Sequence, residues 1–144
     1  MKLALVWEGK CSTFGGPDDT GVRPSEDLAL YDRSDLKTAR GASLFLPQQP
    51  KGTTGLARRL NPKALYVACR WPYTVVGREW LRTHAVRVSV RGKPGSVEAW
   101  PVDWGPHKKT GRIVDCSPRL LVALGVKTDD VLEVTVILEG EDCP

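Results

Sequence analysis

Short segments in which apolar and polar residues alternate are the feature that most constrains the fold of this chain. Residues Ala85–Val90 carry valine at every second position, and Val131–Val136 alternates in the same way. A period of two is typical of β-strands that bury one face. Glycine, proline and aspartate clusters bound these and the other apolar segments, and they mark turns. The predicted strands are Leu3–Trp7, Cys11–Phe14, Ala64–Trp71, Ala85–Val90, Val97–Val102, Ile113–Cys116 and Val131–Val136.

Six or seven short strands in 144 residues predict a mainly β fold, with residues 1–144 as a single domain. Exposed strand edges invite aggregation, and closure into a barrel removes them. We therefore expect a small six-stranded β-barrel with one or two short helices. Ser117-Pro118 is typical of a helix start and Gly125 of a helix end. A second short helix is predicted at Ser25–Leu30, with Ser25 as its cap.

Residues Arg33–Pro62 lack a clear period and contain several prolines and glycines. They predict a long, irregular loop on the surface of the barrel. A loop of this length in a small domain is often functional.

Charge and composition favour some classes of partner over others. The chain has 21 Lys and Arg against 17 Asp and Glu, with no dense basic stripe, so nucleic-acid binding through Lys108–Arg112 is a minor alternative. No apolar run approaches the roughly 18–20 residues of a membrane helix, so no membrane partner is expected. The apolar run at Met1–Glu8 is too short for a signal peptide, which predicts a protein made in the cytoplasm. The oligomeric state is left open.

Metal and cofactor sites are not expected. The four cysteines lack the CxxC spacing of structural zinc sites, and neither histidine has a partner at ligand spacing. No glycine-rich phosphate loop occurs. Free core thiols are the simpler interpretation of Cys69 and Cys116.

Several motifs occur in an order that resembles one family. An Asp-x-Gly-Pro turn is followed by a Gly-Arg-apolar-apolar-Asp junction, an Ala-Leu-Gly helix end and a final strand. The opening Cys11–Gly16 resembles the family's first strand more loosely. The chain therefore resembles double-psi β-barrel domains of the rare lipoprotein A, expansin and lytic transglycosylase kind. The matching segments are Lys10–Gly16, Val102–His107, Gly111–Pro118, Ala123–Val126 and Val131–Ile137.

The resemblance implies a groove that binds a polysaccharide, with the cell-wall glycan peptidoglycan as the expected polymer. By motif position, Asp115 corresponds to the main acid, Asp103 to a second acid and Thr13 to a hydroxyl that orients the acid. A carboxylic acid of raised pKa can protonate a glycosidic oxygen. The residues expected to bind the substrate are Trp104, His107, Trp100, Phe14 and Arg112.

Each of these residues also has a purely structural interpretation. Asp115 could cap the following helix, and Asp103 could belong to an Asx-turn. Thr13 could be a simple strand residue and His107 a solvated loop residue. Asp18 or Asp19 could supply a further carboxylate. The remaining tryptophans, Trp7, Trp71 and Trp80, are expected to pack in the core.

Two functions from different classes follow. The first is a barrel that binds or cleaves peptidoglycan, acting at the cell wall after lysis or as part of a virion. The second is a non-catalytic structural or interaction module of a phage or secretion system, because one fold can serve many functions.

Overall fold

The computed structural model describes residues 2–139, and their six strands form a closed barrel. Around the barrel the strands follow the order β1-β5-β2-β4-β3-β6. The β1–β5 and β2–β4 pairs are parallel and the others are antiparallel. This confirms the mainly β, six-stranded prediction and is compatible with a double-psi barrel. The strands are β1 Lys2–Thr13, β2 Tyr66–Cys69, β3 Val86–Val90, β4 Val97–Trp104, β5 Val114–Cys116 and β6 Val131–Glu139.

The first two predicted strands are joined into one. Strand β1 pairs with β6 through Lys2–Lys10 and then with β5 through Cys11–Thr13, so a single long strand bridges two parts of the barrel. Gly9 lies where β1 passes close to Ile113. A Cβ at Gly9 would lie 2.7 Å from the Ile113 Cγ2 atom, so glycine permits this close approach.

The described part of the chain contains four short α-helices, more than the one or two expected. The last begins as predicted, with the Ser117 hydroxyl accepting a hydrogen bond from the Leu120 backbone N–H at 3.1 Å. It ends at Gly125, whose φ of 70° suits glycine. The helices are α1 Ala39–Leu44, α2 Leu56–Arg59, α3 Arg78–Thr83 and α4 Pro118–Leu124, with 3₁₀ turns at Arg33–Lys37 and Lys108–Thr110.

The helix predicted at Ser25–Leu30 is wrong. This segment consists of turns and extended chain. The Ala29 N–H donates to the Asp103 carboxylate and the Leu30 N–H donates to the Val102 carbonyl, both on β4. Contacts with the barrel therefore replace the hydrogen bonds of a helix.

The segment at Arg33–Pro62 is also more ordered than predicted, because it contains the first 3₁₀ turn, α1 and α2. Leu44, Phe45 and Leu56 bury their side chains in the core. Asp35, a buried residue of this segment, forms an ion pair with Arg82 of α3. The segment thus covers one side of the barrel.

Cys69, Cys116 and Trp71 are buried as expected, whereas Trp7 and Trp80 are only partly buried against the core. Cys69 and Cys116 are buried and free, while Cys143 lies outside the described residues. Trp71 is buried and meets Trp7 edge to face, with ring centroids 5.5 Å apart. Within residues 2–139, no helix has the length and apolar character needed to cross a membrane.

Candidate functional site

Strand register places the two predicted acids on one face of the barrel wall. Asp115 on β5 and Asp103 on β4 both pair with Ala68 on β2, the strand between them. Residues that pair across neighbouring strands point to the same side of a sheet. Since strands lie about 4.8 Å apart, the two aspartate Cα atoms are about 10 Å apart, with only the Ala68 methyl between their side chains.

Asp115 lines an open groove of about 420 Å³. One wall comes from the chain between the end of β1 and residue 26, and the other comes from the loop that joins β4 to β5. The polar residues along the groove include Ser12, Asp19, Glu26, His107, Arg112 and Asp115.

The Asp115 carboxyl is half-buried and holds its proton unusually well. Its pKa is raised to about 6, chiefly by burial; the Arg112 guanidinium opposes this rise, and the negative charges of Asp103 and Asp19 add to it. No hydrogen bond to this carboxyl occurs among residues 2–139. The alternative that Asp115 caps α4 is wrong, because Ser117 fills that role. Asp115 therefore presents a carboxyl group without a hydrogen-bond partner to the groove.

Asp103 is more constrained. Its Oδ1 atom accepts a hydrogen bond from the Ala29 backbone N–H at 2.8 Å, and it does not line the Asp115 groove. Burial raises its pKa, while backbone N–H groups of Ala29 and Trp104 lower it and the charge of Glu26 raises it. The Asp103 carboxylate holds the Ala29 segment against the barrel, and its effect on Asp115 is electrostatic.

Thr13 does not make the contact that the resemblance implies. Its hydroxyl donates to the Cys116 carbonyl at 3.0 Å, although the residue does line the groove. Ser12, one position earlier, is the β1 residue in register with Asp115, and it also lines the groove. The sequence carries no signal for this choice, because it depends on the register between β1 and β5.

The two tryptophans expected to bind the substrate lie outside the groove. The Trp100 ring lies beneath the Arg40 guanidinium, 3.3 Å from its carbon, so that ring face is occupied. Trp104 is 43% exposed, and its Nε1 donates to the Trp71 carbonyl at 3.0 Å. Phe14 does line the groove, where it packs edge to face against Tyr66.

His107 and Arg112, the other two residues predicted to bind the substrate, lie on the loop wall of the groove. The His107 Nδ1 atom accepts a hydrogen bond from the Lys109 N–H at 3.2 Å, so it also caps a 3₁₀ turn. The Arg112 guanidinium is paired with Asp129 at 2.9 Å. Much of its charge is therefore already compensated.

Arg70 is a structural support of this wall that the sequence did not indicate. Its Nη1 atom donates to the Pro106 carbonyl at 2.7 Å and to the Arg112 carbonyl at 2.9 Å. The two bonds join both ends of the loop wall to the residue that follows β2. No local sequence signal marks such a contact, since the partners lie 36 and 42 positions away.

Asp19 and Glu26 bring further carboxylates to the opposite wall. Asp19 accepts backbone hydrogen bonds from Gly15 at 2.7 Å and Gly21 at 2.9 Å, so it shapes the turn after β1. Glu26 forms a loose ion pair with Arg23 at 3.8 Å. Across the described part of the chain, no three His, Cys, Asp or Glu side chains are arranged to hold a metal ion.

Comparison with known proteins adds no family assignment. No protein-family model matches the chain, and no curated protein is significantly similar to it.

Proposed function

We propose that the groove binds a cell-wall glycan strand, with peptidoglycan as the polymer, and that Asp115 cleaves it as a general acid. The proposal depends on one observation: the Asp115 carboxyl is half-buried, has no hydrogen-bond partner and lies on the wall of an open groove. The resemblance of its sequence context to polysaccharide-active double-psi barrels supports the choice of polymer.

A carboxyl with a pKa of about 6 is protonated in a useful fraction of molecules near neutral pH. It can give its proton to the glycosidic oxygen as the bond from that oxygen to C1 breaks. In the lytic reaction the sugar's own 6-hydroxyl attacks C1 and releases a proton, which returns to the Asp115 carboxylate. This cleavage consumes no water and needs one acid.

The bonding of the neighbouring carboxylates supports this single-acid reaction over ordinary hydrolysis. In the groove, Asp19 is held by the Gly15 and Gly21 N–H groups and Glu26 is paired with Arg23. Hydrolytic glycosidases use two carboxyl groups that flank the scissile bond. Asp103 is held by the Ala29 N–H and lies outside the groove. It contributes by keeping Asp115 protonated through charge repulsion.

A non-catalytic glycan-binding or assembly module is the second candidate. It is favoured because Trp100 and Trp104, the two indole rings expected to stack on a sugar, both lie outside the groove. In either case the protein would meet its polymer after cell lysis or as part of a virion.

The deciding experiment incubates the protein with purified sacculi and analyses the soluble products by mass spectrometry. Wild-type protein is expected to release 1,6-anhydro fragments, and Asp115→Asn is expected to release at least about 100-fold less, the usual contribution of a general acid. Asp18→Asn is the matched control, because Asp18 is an exposed aspartate outside this groove.

Binding to sacculi, measured by co-sedimentation, separates the two candidates. Binding without products from the wild-type protein would favour the module. If wild-type protein neither binds nor cleaves, or if Asp115→Asn does both as well as wild type, the proposal is wrong.

A further inference from the structure

Several side chains on the outer face of β1, β6, β3 and the start of β4 are exposed among the described residues. Strands β1, β6, β3 and β4 pair side by side there, and their outward side chains form a row from Val6 through Thr135 and Arg87 to Glu98. Ala4 and Ile137 form a second, shorter row beside it. We call these six residues the bare face. The segment at residues 14–62 contacts the barrel at Tyr66, Val102 and Trp100.

Apolar side chains stand out on the bare face. Val6 is 55% exposed, although it sits in the middle of a long strand. Ala4 beside it is also exposed, and Ile137 is half-buried. A solvent-facing strand normally carries polar residues at such positions. The Val6 side chain is thus an exposed apolar projection from the bare face.

A groove of about 390 Å³ lies next to Val6. Its floor includes Arg87, Glu98 and Thr135, and its wall is the stacked pair of Trp80 and His84, whose ring centroids are 4.2 Å apart. The Trp80 Nε1–H group is buried and has no hydrogen-bond acceptor among the described residues. The bare face thus presents a projection and a recess side by side.

The bare face also carries two neighbouring residues of opposite charge. Arg87 and Glu98 are direct neighbours on β3 and β4, both are exposed, and neither forms an ion pair within residues 2–139. A surface that carries an unpaired cation beside an unpaired anion can pair with a copy of itself across a two-fold axis. A partner of one charge sign would satisfy only one of the two residues.

We propose that the bare face binds a second copy of this chain in a two-fold symmetric dimer. Arg87 of each protomer pairs with the partner's Glu98, and Val6 enters the groove beside the partner's Trp80. The four strands of the face are separated by three spacings, about 14 Å in all, which is small for a permanent interface. The dimer is therefore expected to dissociate in the micromolar range. Both Asp115 grooves stay open in it.

Charge reversal tests this pairing directly. Sedimentation velocity from about 1 to about 500 µM is expected to show wild-type protein changing from monomer to dimer across the range expected for micromolar affinity. Arg87→Glu and Glu98→Arg are each expected to weaken dimerisation at least about tenfold, because each places like charges together. Arg119→Glu is the matched control, because Arg119 is an exposed arginine on α4. This variant is expected to dimerise like wild type.

Restoration of the pairing is the sharper result. An equimolar mixture of Arg87→Glu and Glu98→Arg is expected to form a heterodimer, since every cross-interface pair is then of opposite charge. The double variant Arg87→Glu/Glu98→Arg is expected to dimerise like wild type. Circular dichroism of each variant establishes that it is folded. A wild-type protein that stays monomeric to 500 µM, or single reversals that dimerise normally, would overturn the proposal.

Discussion

Replacing Asp115 with asparagine is expected to stabilise the folded protein at alkaline pH. The Asp115 pKa is about 6 in the folded protein, against an ordinary value of 3.8 that applies when the chain is unfolded. Each tenfold change in proton affinity corresponds to about 1.4 kcal/mol, so the ionised carboxylate costs the folded state about 3 kcal/mol. Asparagine is similar in shape and carries no charge, and it removes this cost.

The contribution of Asp115 to the stability of the folded protein depends on pH. A carboxyl whose pKa is raised on folding favours the folded state fully below pH 3.8, and this contribution is lost as the pH rises through about 6. The free energy of unfolding of Asp115→Asn should therefore exceed that of wild type by about 3 kcal/mol at pH 8 and by less than about 1 kcal/mol at pH 4. A gain in stability with a loss of cleavage is the expected mark of a functional residue.

Guanidinium denaturation of both proteins at pH 4, 6 and 8 measures this difference in the free energy of unfolding. Asp18→Asn, at an exposed position, should differ from wild type by less than about 0.5 kcal/mol throughout. If Asp115→Asn is no more stable than wild type at pH 8, or if the difference is the same at all three pH values, burial does not perturb Asp115 as argued.

Four further outcomes are expected. Cleavage of sacculi should decline as the pH rises above about 6, because Asp115 then loses its proton; a rate that rises through pH 8 would contradict this. Gly55→Ala should lower the free energy of unfolding by more than about 2 kcal/mol in guanidinium denaturation, since its Cβ would lie 2.1 Å from the Glu26 carbonyl oxygen. Arg70→Met should weaken sacculus binding in co-sedimentation while the protein stays folded, because two hydrogen bonds to the loop wall are lost. Thr13→Val should cost about 1 kcal/mol of stability and leave product release intact, and a loss of cleavage would show that Thr13 has a role beyond its bond to the backbone.

The strands that sequence predicted best are those whose signal is local. Alternating valines marked β3 and β6, and the Ser117-Pro118 start with the Gly125 end marked α4. In these elements the local preference and the final packing agree. At Ser25–Leu30 they do not, because backbone N–H groups there bond to β4.

The sequence likewise predicted one part of the candidate site and could not predict another. The motif around Asp115 singled out the residue that the structure places in the groove, unbonded. The motif could not choose between Ser12 and Thr13 as its neighbour. Adjacent strand residues point to opposite faces, so a difference of one residue in register exchanges their roles.

Contacts between distant segments lay beyond any sequence pattern. Arg40 covers Trp100, and Arg70 holds the loop wall, yet neither arginine stands in a distinctive motif. Long flexible side chains on the surface have many possible partners, and the folded backbone selects among them.

By itself, the sequence determined which segments become strands, where α4 begins and ends, and which aspartates merit attention, since these depend on residues close together in the chain. The tertiary structure alone decided that Asp115 stays unbonded in a groove while Asp103 is held by a backbone N–H. Those outcomes depend on strand register and on which distant segments bury each carboxyl, and both arise only when the barrel closes.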